Sequence, residues 1–272
     1  MIKFPTNSPS GPVIIHTDSV NTFPLVPGRH DRQSFLRAHL TVIEKLLSGR
    51  HAWFPSFNYD FLGSRVFDVD EDRCQVGSIN EFVRLNEAEW RTPTPVFNFT
   101  GSGPRPAHVS QGDPALIYPF DDDSTFAQCV REDGIVLWYG APFSSATILH
   151  HAESMSNGPL YRYDKDFSGK VISGGISTDV VLRYHVRPLG RPVDYDWARI
   201  VSDARSQGII RQIDEKTSVY WAPAHALVEY WVEKQLKDPL YLLDADSRSW
   251  IALKLESLGR RFELGDFEDV AA

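Results

Sequence analysis

At 272 residues, with 42% hydrophobic and 24% charged residues, the chain has the composition of a globular protein able to bury one sizeable core or two small ones. No apolar run approaches the roughly 18 residues needed to cross a bilayer, and the opening MIKFPTNSPSGP lacks the apolar segment of a secretory signal. A formal charge of −8 argues against non-specific nucleic-acid binding, and the two cysteines, Cys74 and Cys129, are too few for a disulfide framework, which fits a cytoplasmic protein.

Residues 1–11, rich in Pro, Ser and Asn, read as a flexible arm ahead of one domain over 12–272. A strand over 12–15 ends at His16-Thr17-Asp18-Ser19, and small polar residues after a strand can offer backbone N–H groups to an anion. Phe35, Leu36, Leu40, Ile43 and Leu47 recur at helical spacing and predict a helix over 31–49, closed by Gly49. A strand over 52–54 follows. Asp68, Asp70, Glu71 and Asp72 crowd the stretch 64–77, which reads as a solvated loop, since the glycine and terminal glutamate of a calcium loop are missing. Ser78-Ile79-Asn80-Glu81 has the spacing of a capping box that opens a short helix. Arg91 suits either a phosphate or a neighbouring acid. Residues 98–119, with many Gly and Pro, read mostly as loop. Ser124 caps a helix over 125–132 whose Cys129 faces the core.

The stretch 133–153, DGIVLWYGAPFSSATILHHAE, concentrates the chemistry. Ile135–Tyr139 has the length and the β-branched, aromatic content of a buried strand, which Gly140 and Pro142 end. Thr147 is placed to cap a following helix, with His150 in its first turn. There the helix dipole disfavours the protonated imidazole, and a neutral imidazole is what a general base needs. Glu153 shares the helical face of His150 and can orient its ring. Two apolar stretches at 171–172 and 180–186 suit antiparallel neighbours, and helices are expected over 194–207, 222–237 and 247–261. Interleaved short strands and amphipathic helices predict an α/β fold: a single three-layer domain with a mixed central sheet, helices on both faces and Ile135–Tyr139 in the sheet interior.

Strand, Gly, loop and then Thr-x-x-His-x-x-Glu resembles the signature of the aminoglycoside 3-N-acetyltransferase family, with Thr147, His150 and Glu153 at the matching positions. Further likenesses are His16-Thr17 to a His-Ser-Ser-Leu type segment, Phe54-Pro55-Ser56-Phe57 to Met-Pro-Thr-Phe, and Arg91-Thr92 to Arg-Ser. Ser124-Thr125-Phe126 keeps the outline of a Gly-Ser-Pro-Trp type segment, and the stretch through Tyr161 and Arg162 resembles a proline-tyrosine-arginine run. The resemblance implies an acyl-CoA-dependent N-acyltransferase that uses acetyl-CoA as co-substrate and no metal. It would move a short acyl group to an amine of an amino sugar, an aminoglycoside or a nucleotide-linked sugar. It implies His150 as base in a direct attack, with Glu153 and Thr147 beside it. CoA would be held by His16, Thr17, Asp18, Ser19, Arg91 and Ser124. It leaves open the acceptor, the acyl group and whether the chain forms a homo-oligomer. Two departures matter: Asp18 puts a carboxylate where phosphate is expected, and Thr94 replaces a family histidine.

Two other readings compete. His150, His151 and Glu153 are potential metal ligands for a hydrolase, although adjacent residues on a helix point about 100° apart. The departures at Asp18 and Thr94 would also suit a catalytically silent member that binds a ligand.

Overall fold

The computed structural model describes residues 3–5, 8–107, 114–191, 193–213 and 215–268. In chain order the strands are β1 Val13–Thr17, β2 Ala52–Pro55, β3 Val66–Asp68, β4 Trp90–Arg91, β5 Phe99–Gly101, β6 Ala115–Ile117, β7 Ile135–Tyr139, β8 Tyr163–Ser173, β9 Ile176–Val186, β10 Arg211–Gln212 and β11 Val219–Pro223. The helices are α1 Arg32–Leu47, α2 Phe61–Ser64, α3 Ser78–Asn86, α4 Thr125–Arg131, α5 Leu149–Met155, α6 Trp197–Ser206, α7 Ala224–Lys237 and α8 Ala245–Leu258.

Among the described residues the strands form two sheets, the larger in the order β10-β11-β7-β1-β2-β5-β4. β7, β1 and β2 run parallel, and the outer strands are antiparallel to their neighbours. This is the expected mixed sheet, with β7 in its interior between β1 and β11. All five residues of β7 are buried, because a central strand covered on both faces has no side left for water. Val13, Ile15, Ile135 and Leu137 pack on one face with α1 and α3. Ile14, Val136 and Trp138 pack on the other with α4, α5, α6 and α7. Each fully buried side chain of this size contributes roughly 1.5–3 kcal/mol. The Asp31 carboxylate caps α1 by accepting from Ser34 N at 2.8 Å, and Ser48 and Gly49 end it in the left-handed region.

The second sheet, β3-β8-β9-β6, was not expected from the sequence. It lies over the face that holds Trp138, and Phe67, Phe167 and Leu182 join that core. Its long hairpin turns through Gly174 and Gly175, both at positive φ, as a two-residue hairpin turn requires. The solvated loop read over 64–77 gives up β3 to this sheet, and the loop read over 98–119 gives up β5 and β6. Residues 1, 2, 6 and 7 of the arm and 108–113 of that loop lie outside the described residues. Within the arm, Phe4 packs edge-on against Trp221 at 5.6 Å. β11 takes residues 222 and 223 from the helix expected over 222–237, because pairing with β7 satisfies their backbone. The capping box at Ser78 does not form. Gly77 is the cap residue, and the Glu81 carboxylate accepts from Cys74 N and Arg84 instead. Cys129 faces the core, and burial pushes its thiol up. No helix among the described residues is long and apolar enough to cross a membrane.

Candidate active site

Thr147 does not cap α5. A 3₁₀ turn at Phe143–Ser145 leads into α5, whose cap position is Ile148, and Thr147 Oγ1 donates to Ser145 O at 3.2 Å. His150 is the second residue of α5, with Glu153 on the same face. Glu153 is fully enclosed and forms the hub of the site. Its Oε2 lies 2.7 Å from His150 Nδ1 and 3.2 Å from His185 Nε2. Its Oε1 accepts from Tyr161 Oη at 2.8 Å and Tyr195 Oη at 2.6 Å, with Arg162 Nε 3.5 Å away.

An ionised carboxylate only accepts hydrogen bonds, so the imidazole protons sit on Nδ1 of His150 and Nε2 of His185. His150 Nε2 is left as a lone-pair acceptor with no partner among the described residues. Burial alone would raise the Glu153 carboxyl, but Arg162 and the hydrogen bonds from His150 and His185 outweigh it and hold the group well below its usual range. Burial also lowers His150 to about 4, against the opposing pull of Glu153. The ring is therefore neutral at pH 7.

The His150 side chain is 24% exposed and opens onto a cavity of about 600 Å³ bordered by Arg162, Tyr184, Tyr195 and Trp197. A second cavity, of about 470 Å³, lies at the carboxyl ends of β1 and β2, the place where open α/β sheets bind ligands. His16, Thr17, Asp18 and Ser19 line it, with Thr147 on its far wall. Gly140 lets this loop close: its φ is 76°, and a Cβ there would stand 2.5 Å from Asp18 O. The Asp18 carboxylate accepts from Val20 N at 2.8 Å and Asn21 Nδ2 at 3.2 Å, which ties it to its own loop.

The helix start that borders this cavity is that of α3, at Gly77 and Ser78. Ser124 instead caps α4 and lines a small cleft with Thr94, apart from His16–Ser19. Arg91 lines neither cavity. It is buried and donates to Val69 O, Asp72 O, Ser56 O and Asn98 Oδ1, tying the 69–72 loop to the sheet edge. His151 turns away from the site to Phe120 O at 2.8 Å. The structure thus joins His150 to Glu153 at the wall of the first cavity, places Thr147 on the His16–Ser19 cavity, and leaves Arg91 and Ser124 out of both. It adds Tyr161, Arg162, His185 and Tyr195. Tyr161 and Arg162 were visible only as a family-like stretch. His185 sits on the face of β9 that alternation assigns to solvent, yet it is 6% exposed.

A family profile, that of the aminoglycoside 3-N-acetyltransferases, matches residues 46–235. The chain belongs to this family. Aminoglycoside N(3)-acetyltransferase VIII of Streptomyces fradiae is 33% identical over 87 residues, which span 32% of this chain and 30% of that protein. Aminoglycoside acetyltransferase AAC(3)-IVa, solved as apoenzyme, superposes with a TM-score of 0.65 at 18% identity over 91% of each chain. AAC-IIIb, solved as a binary complex with CoASH, gives 0.64 at 19% identity over 85% of this chain and 92% of its own. At these identities the structural likeness is one of fold.

In this member of the aminoglycoside 3-N-acetyltransferase family, the ligand atoms of His150, Glu153 and His185 lie within 4.8 Å of one another, close enough for a cation. Arg162 already supplies the positive charge that Glu153 requires, and both imidazoles are placed to donate to the carboxylate rather than to share a metal. The hydrolase set with His151 does not assemble, because that ring points about 100° away from His150 along α5 and is held by Phe120 O.

Burial lowers His16 to about 3 and His150 to about 4, both below the ordinary 6.5 that they regain on unfolding. The unfolded chain therefore binds more protons below pH 6.5. The stability contributed by burying neutral rings is complete above that pH and is lost as pH falls toward the folded values. Each histidine adds a slope of at most about 1.4 kcal/mol per pH unit. Melting temperature should drop steadily from pH 7 to pH 5, less steeply in His16→Asn. A flat profile would contradict the burial of both rings.

Proposed function

We propose that the protein is an acetyl-CoA-dependent N-acetyltransferase that acts on an amine of an amino sugar, with His150 as general base. One observation carries the reading: the hydrogen bond from His150 Nδ1 to the enclosed Glu153 leaves Nε2 free at the wall of a ligand-sized cavity. The amine nitrogen attacks the thioester carbonyl. A C–N bond forms, the C–S bond breaks, the amine proton passes to His150 Nε2, and CoA leaves as the thiol once that proton is returned to its sulfur. Glu153 fixes the tautomer and stabilises the imidazolium that forms. No acyl-enzyme and no metal are needed.

The cavity at His16–Ser19 suits the phosphate-bearing part of CoA. Strand-end backbone and the start of α3 offer N–H groups there, and the Asp18 carboxylate is held back by hydrogen bonds from Val20 N and Asn21 Nδ2 within its own loop. AAC-IIIb, of the same fold, was solved with CoASH. Ser144, Ser145 and Thr147 border the His16–Ser19 cavity and His150 the other, so a thioester reaching past Thr147 approaches the base. Titration calorimetry with CoA tests this: saturable binding is expected, and no detectable heat at millimolar CoA would remove the acyltransferase reading.

A further inference from the structure

We propose that the acceptor entering the His150 cavity is a monoamine that also carries an anionic oxygen, a phosphate or a carboxylate, bound by Arg162, and is not a polycation. The inference rests on the acetyltransferase reading and narrows its substrate class.

Among the described residues the charged groups lining this cavity are Arg162, Lys165 and Arg187 against Asp194 and Glu268. Both acids are already matched. Glu268 is bound by Lys165 and by Tyr163 Oη at 2.7 Å, and Asp194 lies 3.3 Å from Arg187. Glu153 is enclosed behind its donors, with no surface facing the cavity. A second or third ammonium on the acceptor would find no unmatched carboxylate to offset its loss of water, which disfavours binding.

Arg162 is paired in charge with Glu153 but keeps donors that its partners do not use. It is only 8% exposed. Its Nη2 donates to Tyr195 Oη at 2.6 Å, and its Nε is enclosed 3.5 Å from Glu153 with no hydrogen bond. Its Nη1 has no hydrogen-bond partner among the described residues and, unlike Nε, is not enclosed. A buried guanidinium with an open N–H edge beside the base is a receptor for an oxyanion. The remaining wall is aromatic and aliphatic: Phe167 stacks with Tyr184 at 5.4 Å, and Tyr195 meets Trp197 edge-on at 5.8 Å. Those rings suit the apolar face of a sugar or a flat group. A cation near the attacking amine also favours its neutral, nucleophilic form.

The test compares kcat/KM with acetyl-CoA, read as thiol release, for glucosamine, glucosamine 6-phosphate, its 6-carboxylate counterpart and the polyamine sisomicin. The phosphate or the carboxylate should exceed glucosamine by about tenfold or more, and sisomicin should fall below both. Whichever of the two anions leads identifies the group. In Arg162→Lys, checked for folding by its melting curve, the advantage of the anionic acceptor over glucosamine should shrink several-fold. A uniform loss on all acceptors would mean that Arg162 serves structure alone and would overturn the proposal. So would a preference for sisomicin in the unmodified enzyme, a result that leaves the acetyltransferase reading intact. Thiol release with none of the four, together with no CoA binding, would instead overturn that reading and this inference with it.

Discussion

His150→Ala is expected to lower kcat for acetyl transfer by about 10²- to 10⁴-fold, the usual contribution of a positioned general base, while CoA still binds. The geometry makes this a sharp expectation. His150 Nε2 has no structural partner to lose, and its ring is held by one hydrogen bond to Glu153. Removing it deletes the proton acceptor and leaves the cavity at His16–Ser19 untouched. His151→Ala should leave turnover nearly unchanged, because that ring is buried, bonded to Phe120 O and lines neither cavity, although it should cost stability. A metal-dependent site would behave differently: His185→Ala would match His150→Ala, and a chelator would abolish activity. Near-native turnover in His150→Ala with a true acceptor would end the assignment.

The parts of this site that were legible in the sequence are those written locally. Ile135–Tyr139 is a continuous apolar run because both sheet faces are covered, and a run of that length ended by Gly140 identifies a buried strand. The spacing of His150 and Glu153 puts them on one face whatever surrounds them. What stayed hidden depends on partners far along the chain. β3 and β6 are three residues each and exist as strands only because β8 and β9 lie beside them. β8 begins Tyr163-Asp164-Lys165-Asp166, and so many charges conceal a strand whose Tyr163 and Phe167 face inward. Arg91 suits a phosphate or a neighbouring acid until its donors are seen to be consumed mostly by backbone carbonyls. His185 looks solvent-facing until its strand is laid against Glu153. The helix start expected at Ser124 was sound as a cap but wrong as a neighbour of His16, since only the sheet order shows that α3 occupies that place.

Glu153→Gln should be among the most destabilising conservative changes in the protein, at about 3–5 kcal/mol, or roughly 6–20 °C in melting temperature. On sequence alone it reads as the loss of an orienting charge. In the structure the carboxylate accepts from His150, His185, Tyr161 and Tyr195 and faces Arg162, all in a fully enclosed position. A carboxamide has one accepting oxygen and one donating nitrogen, so half of this ring of donors would meet another donor. If the nitrogen turns to the histidines, His150 must move its proton to Nε2 and ceases to be a base. If it turns to the tyrosines, their hydroxyls must rotate away. Either way Arg162 keeps a buried charge with no counterion, and that term dominates the loss. The diagnosis can be separated from general damage by a double-variant cycle. Arg162→Met alone strands the carboxylate and should be costly. Combined with Glu153→Gln it removes both charges, and the double variant should be more stable than the sum of the two single losses by about 1–3 kcal/mol. Strict additivity, or a melting temperature for Glu153→Gln within about 2 °C of the parent, would show that the buried pair does not hold the site together as its geometry indicates.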